Sequence, residues 1–142
     1  MTAMMRDYNA GCIAGDKQAS RLIVAIDGPA GVGKSTVARL LASRLGYLYL
    51  DTGALYRAMA WAVIESGRNP ADTDAVAALL PALSLQMQFH EGVAAVLVGG
   101  RDVSNELRTP AVSAAASVVS AIPAIRAWLL PVQRQIGEGG AV

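Results

Sequence analysis

An unbroken aliphatic run, LIVAI at 22–26, is followed after one aspartate, Asp27, by GPAGVGKST at 28–36. No other stretch of the chain narrows its possible folds as sharply. The run has the character of a strand covered on both faces, as in a parallel sheet. From Lys34 the apolar pattern becomes helical, with Val37, Leu40, Leu41 and Leu45 on one face and Gly46 as a C-terminal stop. Strand, glycine-rich loop and helix in that order supply the context that the G-x-x-x-x-G-K-[ST] pattern requires. Glycines let the backbone turn so that successive N–H groups face phosphate oxygens, and the helix N-terminus adds its positive end. Gly28, Pro29, Ala30, Gly31, Val32, Gly33, Lys34, Ser35 and Thr36 are therefore expected to hold nucleotide phosphates. Lys34 is expected to reach the outer phosphates, and the Ser35 hydroxyl to help hold Mg²⁺. Chemistry is left open by such a loop, because switch GTPases, ATPases and small kinases all carry one.

Downstream, YLYL at 47–50 reads as a second strand. Thr52 can cap a second helix whose buried side carries Leu55, Met59, Ala62 and Val63, with Gly67 closing it. The texture then changes. Asn69-Pro70 is a turn, and a short helix over about 73–80 runs up to Pro81. Leu83, Leu85, Met87 and Phe89 alternate with Ser84, Gln86 and Gln88, the period of a strand with one wet face in an antiparallel sheet separate from the first. HEG at 90–92 turns the chain, 93–98 makes a partner strand, and Gly99-Gly100 turns it again. Two helices follow over about 110–120 and 122–135, joined at Pro123. Residues 1–20 carry no period and are expected to form a mobile extension.

Composition bounds the class. At 142 residues with 54% hydrophobic and 16% charged content, the chain suits one core-forming domain. Twelve basic residues against 11 acidic leave a net charge of +1, so no nucleic-acid surface is expected and anion recognition must be local. Cys12 is the single cysteine, which excludes an internal disulfide and fits a reducing, cytosolic setting. Its AGC context is not read as a lipidation site, because Arg6, Asp7, Tyr8 and Asn9 stand where an apolar signal segment is needed. The stretch 111–132 is apolar, but Arg126 lies inside it and Pro123 and Pro131 interrupt it, so no membrane segment is expected.

A second constellation, DTGALYR at 51–57, follows the second expected strand. It puts Thr52 and the N–H groups near Gly53 at the open rim of the sheet, where ligands bind in such folds. Arg57, about one and a half turns on, is a planar cation suited to a second phosphate. Taken singly, Thr52 is equally well a plain helix cap and Arg57 a solvated charge. Asp27 can orient metal-bound water or simply satisfy loop donors. Asp51 suits the helix start better than a catalytic base, and lone His90 reads as a solvated turn residue.

Together, IDGPAGVGKSTVARLLASRLGYLYLDTGALYRAMA and GGRDVSNELRTPAVSAAASVVSAIPAIRAWLLPVQRQI strongly resemble bacterial cytidylate kinases over about residues 22–142. The resemblance implies an α/β fold of the P-loop nucleoside monophosphate kinase type, with a parallel sheet core and an α/β monophosphate-binding insertion. It implies an extension over 1–21, a core start over 22–68, the insertion over 69–121 and a return helix over 122–142. The implied reaction passes the γ-phosphate of ATP, with Mg²⁺, to CMP or dCMP. Thr52, Arg57 and Arg126 correspond to residues that contact the monophosphate, Ser117 to the serine that reads the cytosine edge, and Arg108 to a position lining the same lobe. Lys34 and Arg57 are the implied catalytic cations; the implied state is a monomer without nucleic-acid or membrane partners.

In the family, the point reached at GEGGAV leads into a further core strand, an arginine-rich lid and an adenine-contacting loop. The expectation is therefore an incomplete kinase, with 22–26 and 47–50 facing a gap lined by backbone groups that lack partners. Two alternatives stand beside it: a nucleotide-binding fragment without catalysis, and another P-loop small-molecule kinase such as an adenylate kinase.

Overall fold

The computed structural model describes residues 22–29, 31–90, 93–138 and 141–142. The expected N-terminal extension with Cys12, loop residue Ala30, and Glu91 and Gly92 of the HEG turn lie outside the described residues. The chain is α/β. Its elements are α1 (Lys34–Leu45), α2 (Thr52–Glu65), α3 (Thr73–Ala77), a 3₁₀ turn (Leu80–Ala82), β1 (Leu85–His90), β2 (Val93–Val98), β3 (Arg101–Asp102), α4 (Pro110–Val119) and α5 (Pro123–Glu138). They divide into two compact units, one ending at Asp51 and including Gln135–Val142, the other Thr52–Arg134.

The second unit holds the core. β1, β2 and β3 form an antiparallel sheet in that order, with Leu85 opposite Val98, Met87 opposite Val96 and Phe89 opposite Ala94. Directly opposed residues share a face, so Leu85, Met87, Val96 and Val98 are buried together while Gln86 and Gln88 stay in water. The alternation read from the sequence is thus realised, shifted by two residues at its start. His90 ends β1 as an exposed strand residue, where a turn position was expected. The strand signal there is the preceding period of two, which continues through His90 paired with Val93.

α2 packs along α4 and against β1 and β2. Leu55, Met59, Ala62 and Val63 are buried as expected, but so are Ala58, Ala60 and Trp61. A helix covered by another helix on one side and a sheet on the other needs no polar stripe along its middle. Ile125 and Leu129 of α5 and Val119 of α4 add fully buried side chains. Thr52, expected to cap α2, is the first residue inside that helix, whereas two other helix starts carry side-chain caps. Asp72 accepts from the Ala75 amide at 3.0 Å ahead of α3, and Thr109 accepts from the Val112 amide at 3.3 Å ahead of α4, with Pro110 in the first turn. The apolar stretch at 111–132 is broken where α4 meets α5 at 102°, and no single described helix is long and apolar enough to cross a membrane.

The first unit departs from expectation. Residues 22–26 and 47–50 form no strand, and Leu22, Ile23 and Val24 are 54%, 63% and 42% exposed. Val37, Leu40 and Leu45 of α1 are exposed as well, so the expected buried face is not covered. The reason is physical. Burial of a strand on both faces needs a layer on each, and the described residues of this unit bury no large hydrophobic side chain. Nor do 22–26 and 47–50 face an empty gap. The Val142 amide donates to the Leu22 carbonyl at 3.2 Å, the Val24 amide to the Val142 carbonyl at 2.7 Å, and the Leu48 amide to the Ala141 carbonyl at 2.8 Å.

Candidate functional site

In the first unit, the glycine-rich loop leads into α1 with Gly33 in the left-handed region at φ 88°, a conformation that side-chain-bearing residues adopt only under strain. A Cβ built at Gly31 or Gly33 meets nothing within 4 Å, so conformation is what these positions demand of glycine, and the loop surface beside them stays open. The Thr36 and Val37 amides both donate to the Gly33 carbonyl at 3.1 Å, which starts the helix on the loop. The Lys34 ammonium donates to the Gly28 carbonyl at 2.6 Å and also to the Pro29 carbonyl. It therefore stands over its own loop instead of extending into solvent. Asp27 accepts from the Gly28 amide at 2.8 Å, which is the loop-bracing role of the two weighed from the sequence. Ser35, Thr36 and Val32 are exposed. This open, amide-bearing turn with a poised ammonium fits a polyphosphate, and Ser35 at the helix start fits a magnesium ion accompanying it.

In the second unit, a cavity of about 280 Å³ is lined by Gly53, Tyr56 and Arg57 of α2 and by Ser113, Ala116, Ser117 and Ser120 on or just after α4. The spacing explains the convergence. Positions 53, 56 and 57 lie on one face of α2, and 113, 116, 117 and 120 on one face of α4. Arg57 and Ser117, far apart in sequence, are brought to one wall-to-wall space. The Ser117 hydroxyl donates to the Ser113 carbonyl at 3.3 Å and the Ser120 hydroxyl to the Ser117 carbonyl at 3.0 Å. The volume is at the small end of ligand clefts, roughly 300–1,000 Å³.

The other expected residues of this unit stand outside that lining. Thr52 is exposed at the first residue of α2, Arg108 is exposed just ahead of α4, and Arg126 is exposed in the first turn of α5. Tyr56, Ser113 and Ser120 were not singled out from the sequence. The serines carried a signal: 113, 117 and 120 recur at helical spacing in an otherwise Ala/Val helix, one polar stripe facing one way.

A second polar cluster had no sequence signal. Trp61, 9% exposed, donates its indole N–H to Glu106 Oε2 at 2.8 Å. The other oxygen of Glu106 accepts from Arg101 Nη2 at 2.6 Å, and the Arg101 guanidinium lies 5.3 Å from the centre of the Trp61 ring. Nearby, Asp102 accepts from both the amide and the hydroxyl of Ser104, at 2.9 and 2.6 Å, which holds its carboxyl below the usual carboxylate range. The Ser104 oxygen in turn accepts from the Val96 amide at 2.9 Å. Among the described residues no group of three His, Cys, Asp or Glu side chains converges to hold a metal.

Comparison with known proteins covers the loop and the cavity alike. Residues 24–142 match the family model described as cytidylate kinase. The chain is 50% identical over 122 residues to the cytidylate kinase of Symbiobacterium thermophilum, covering 85% of this chain and 54% of that protein. It is 48% identical over 120 residues to the cytidylate kinase of Pelotomaculum thermopropionicum, covering 84% and 53%. It is also 49% identical over 121 residues to a bifunctional pantoate ligase/cytidylate kinase of a Synechococcus strain, covering 84% of this chain and 25% of that protein. The chain thus spans about half the length of the cytidylate kinases it matches. The match runs through the glycine-rich loop and through the residues that line the cavity, and this chain belongs to the cytidylate kinase family.

Proposed function

We propose that this chain supplies the phosphate loop and the acceptor-binding lobe of an enzyme that transfers the γ-phosphate of ATP to CMP or dCMP. The observation that carries the reading is the family match through 24–142, which includes both Lys34 and the cavity holding Arg57 and Ser117. The proposed core is a parallel sheet of the nucleoside monophosphate kinase type. The bonds of Val142 to Leu22 and Val24 have the slanted pattern of a parallel bridge, which supports this.

In this proposal the amides of the phosphate loop and the Lys34 ammonium hold the polyphosphate, exchanging the Gly28 and Pro29 carbonyls for phosphate oxygens. ATP bound with Mg²⁺ supplies the transferable phosphoryl group and offsets part of its charge. Arg57 presents a planar, doubly donating cation to the acceptor phosphate, and Thr52 and Arg126 are assigned to the same anion. Ser117 reads the base edge, and Arg108 belongs to the lobe around it. The protein contributes positioning and charge neutralisation, with little covalent chemistry of its own.

The test is ADP formation from ATP in the presence of CMP, dCMP, UMP or AMP, using the protein as encoded by its gene. Turnover with CMP or dCMP well above AMP is expected. Preference for AMP, or no acceptor use at all, refutes the proposal.

A further inference from the structure

The two helices that line the cavity are tied to each other outside it by a directional contact. Trp61 lies four residues after Arg57 on α2, on the next turn of the same face. Its indole N–H donates to Glu106 Oε2 at 2.8 Å, and Glu106 stands in the segment between β3 and α4. That segment is held along its length. The Val103 amide donates to the Val96 carbonyl at 2.9 Å, and the Glu106 amide to the Val103 carbonyl at 2.8 Å. Val103 and Leu107 are buried, and Thr109 caps the helix that carries Ser113 and Ser117. The carboxylate is thus an anchor just ahead of α4, and the indole is its attachment point on α2. Arg101, bound to the other carboxylate oxygen, covers the face of the ring.

Resting on the acceptor-site reading above, we infer that Glu106 is a positioning residue for the acceptor: through Trp61 it sets where α2 stands against α4, and so where Arg57 meets the acceptor phosphate. Apolar packing sets this less sharply. Burial of Leu55, Met59 and Val63 stays favourable through small slides and rotations of the helix, because the hydrophobic effect has no direction. A hydrogen bond has a preferred length and angle, and it removes that freedom. Trp61 transmits the restraint well, since only two rotatable bonds separate its ring from the backbone. Arg57 is one turn away on the same helix, so a shift at Trp61 is carried to its guanidinium. Without the tie both helices remain packed, but Arg57 loses its register with the wall across the cavity. A misplacement of about 1 Å costs roughly 100-fold in a positioned reaction, so relaxation by a fraction of that is worth roughly three- to tenfold.

The measurement is steady-state kinetics with CMP and ATP varied in turn, on the protein as encoded by its gene and on Glu106→Ala, Glu106→Gln, Trp61→Phe and Arg101→Ala. Glu106→Ala and Trp61→Phe are each expected to raise the KM for CMP by roughly three- to tenfold, with the KM for ATP unchanged. The double variant is expected to go no further than either alone, because both remove the same bond. Glu106→Gln keeps an oxygen for the indole N–H and is expected to restore the parent KM for CMP. Arg101→Ala leaves the indole–carboxylate bond in place and is expected to leave both KM values as they are. A purely structural role lowers the folded fraction, which reduces kcat and moves neither KM. An unchanged KM for CMP in Glu106→Ala, or an equal rise for both substrates, overturns the inference and leaves the acceptor-site reading standing. A parent that turns over neither CMP nor dCMP overturns both.

Discussion

Glu106 is the residue whose removal is most informative about how the second unit is held together. It joins two side chains, the Trp61 indole at 2.8 Å and the Arg101 guanidinium at 2.6 Å, and Arg101 in turn lies over the face of that indole. The contributions separate by exposure. A hydrogen bond to an ionised group contributes about 1.5–3 kcal/mol, and this one sits on a nearly buried ring whose N–H would be left without a partner. The Arg101–Glu106 pair has side chains 60% and 40% exposed, so screening by water limits it to about 0–1 kcal/mol. Arg101 can stay over the ring without Glu106. Glu106→Ala is therefore expected to cost about 2–3 kcal/mol, Glu106→Gln about half of that, and Arg101→Ala less than about 1 kcal/mol. Urea unfolding followed by tryptophan emission reads the change directly, since Trp61 reports on the contact itself. The reasoning fails if Arg101→Ala proves the more damaging substitution. It fails equally if Glu106→Ala shifts stability by less than about 0.5 kcal/mol.

Further expectations concern the site and the two units. Arg57→Ala should weaken acceptor use by roughly 10- to 100-fold, the loss of a charge-assisted contact, while ATP still binds the loop; equal kinetics in variant and parent would remove Arg57 from the site. Asp102, held low by the two Ser104 donors, contributes stability above the ordinary aspartate range that is lost as pH falls through its depressed value. Its carboxyl resonance should titrate below that of a peptide aspartate and move up in Ser104→Ala, and a titration curve identical in both proteins would refute the link. Amide hydrogen exchange should be slower through α2, which buries seven residues, than through α1, which buries none; the reverse order would contradict the burial described.

Local structure was legible wherever a residue acts on its own neighbourhood. The alternation of Leu85, Met87 and Phe89 with glutamines foretold a one-sided strand, and the two helices placed at about 110–120 and 122–135 lie at Pro110–Val119 and Pro123–Glu138, parted just before Pro123. The glycine and lysine spacing marked a turn ahead of a helix, and α1 starts there, at Lys34 after Gly33 in the left-handed region. Burial was legible only in part. LIVAI has the composition of a covered strand, yet cover comes from other segments, and Leu22, Ile23 and Val24 remain open to water. α2 erred in the opposite direction, because alanines at 58 and 60 do not reveal that a sheet lies behind the helix. Arg57 and Ser117 were singled out through resemblance and line one cavity, whereas Ser120, which lines it too, carried only its helical spacing as a signal. The Trp61–Glu106 contact joins residues 45 positions apart and left no trace in local pattern.

α2 serves two masters: its inward residues fill the interior and its Tyr56–Arg57 edge borders the cavity. Ala58 and Ala60 beside that edge are wholly enclosed, so neither has room to grow. A bulkier residue at either position would push the whole rod, and the guanidinium would travel with it. Change in the shape of the cavity is thereby confined to side chains that line it, and the opposite wall, with Ser113 and Ser117 on α4 and Ser120 just after it, is the one left free to vary.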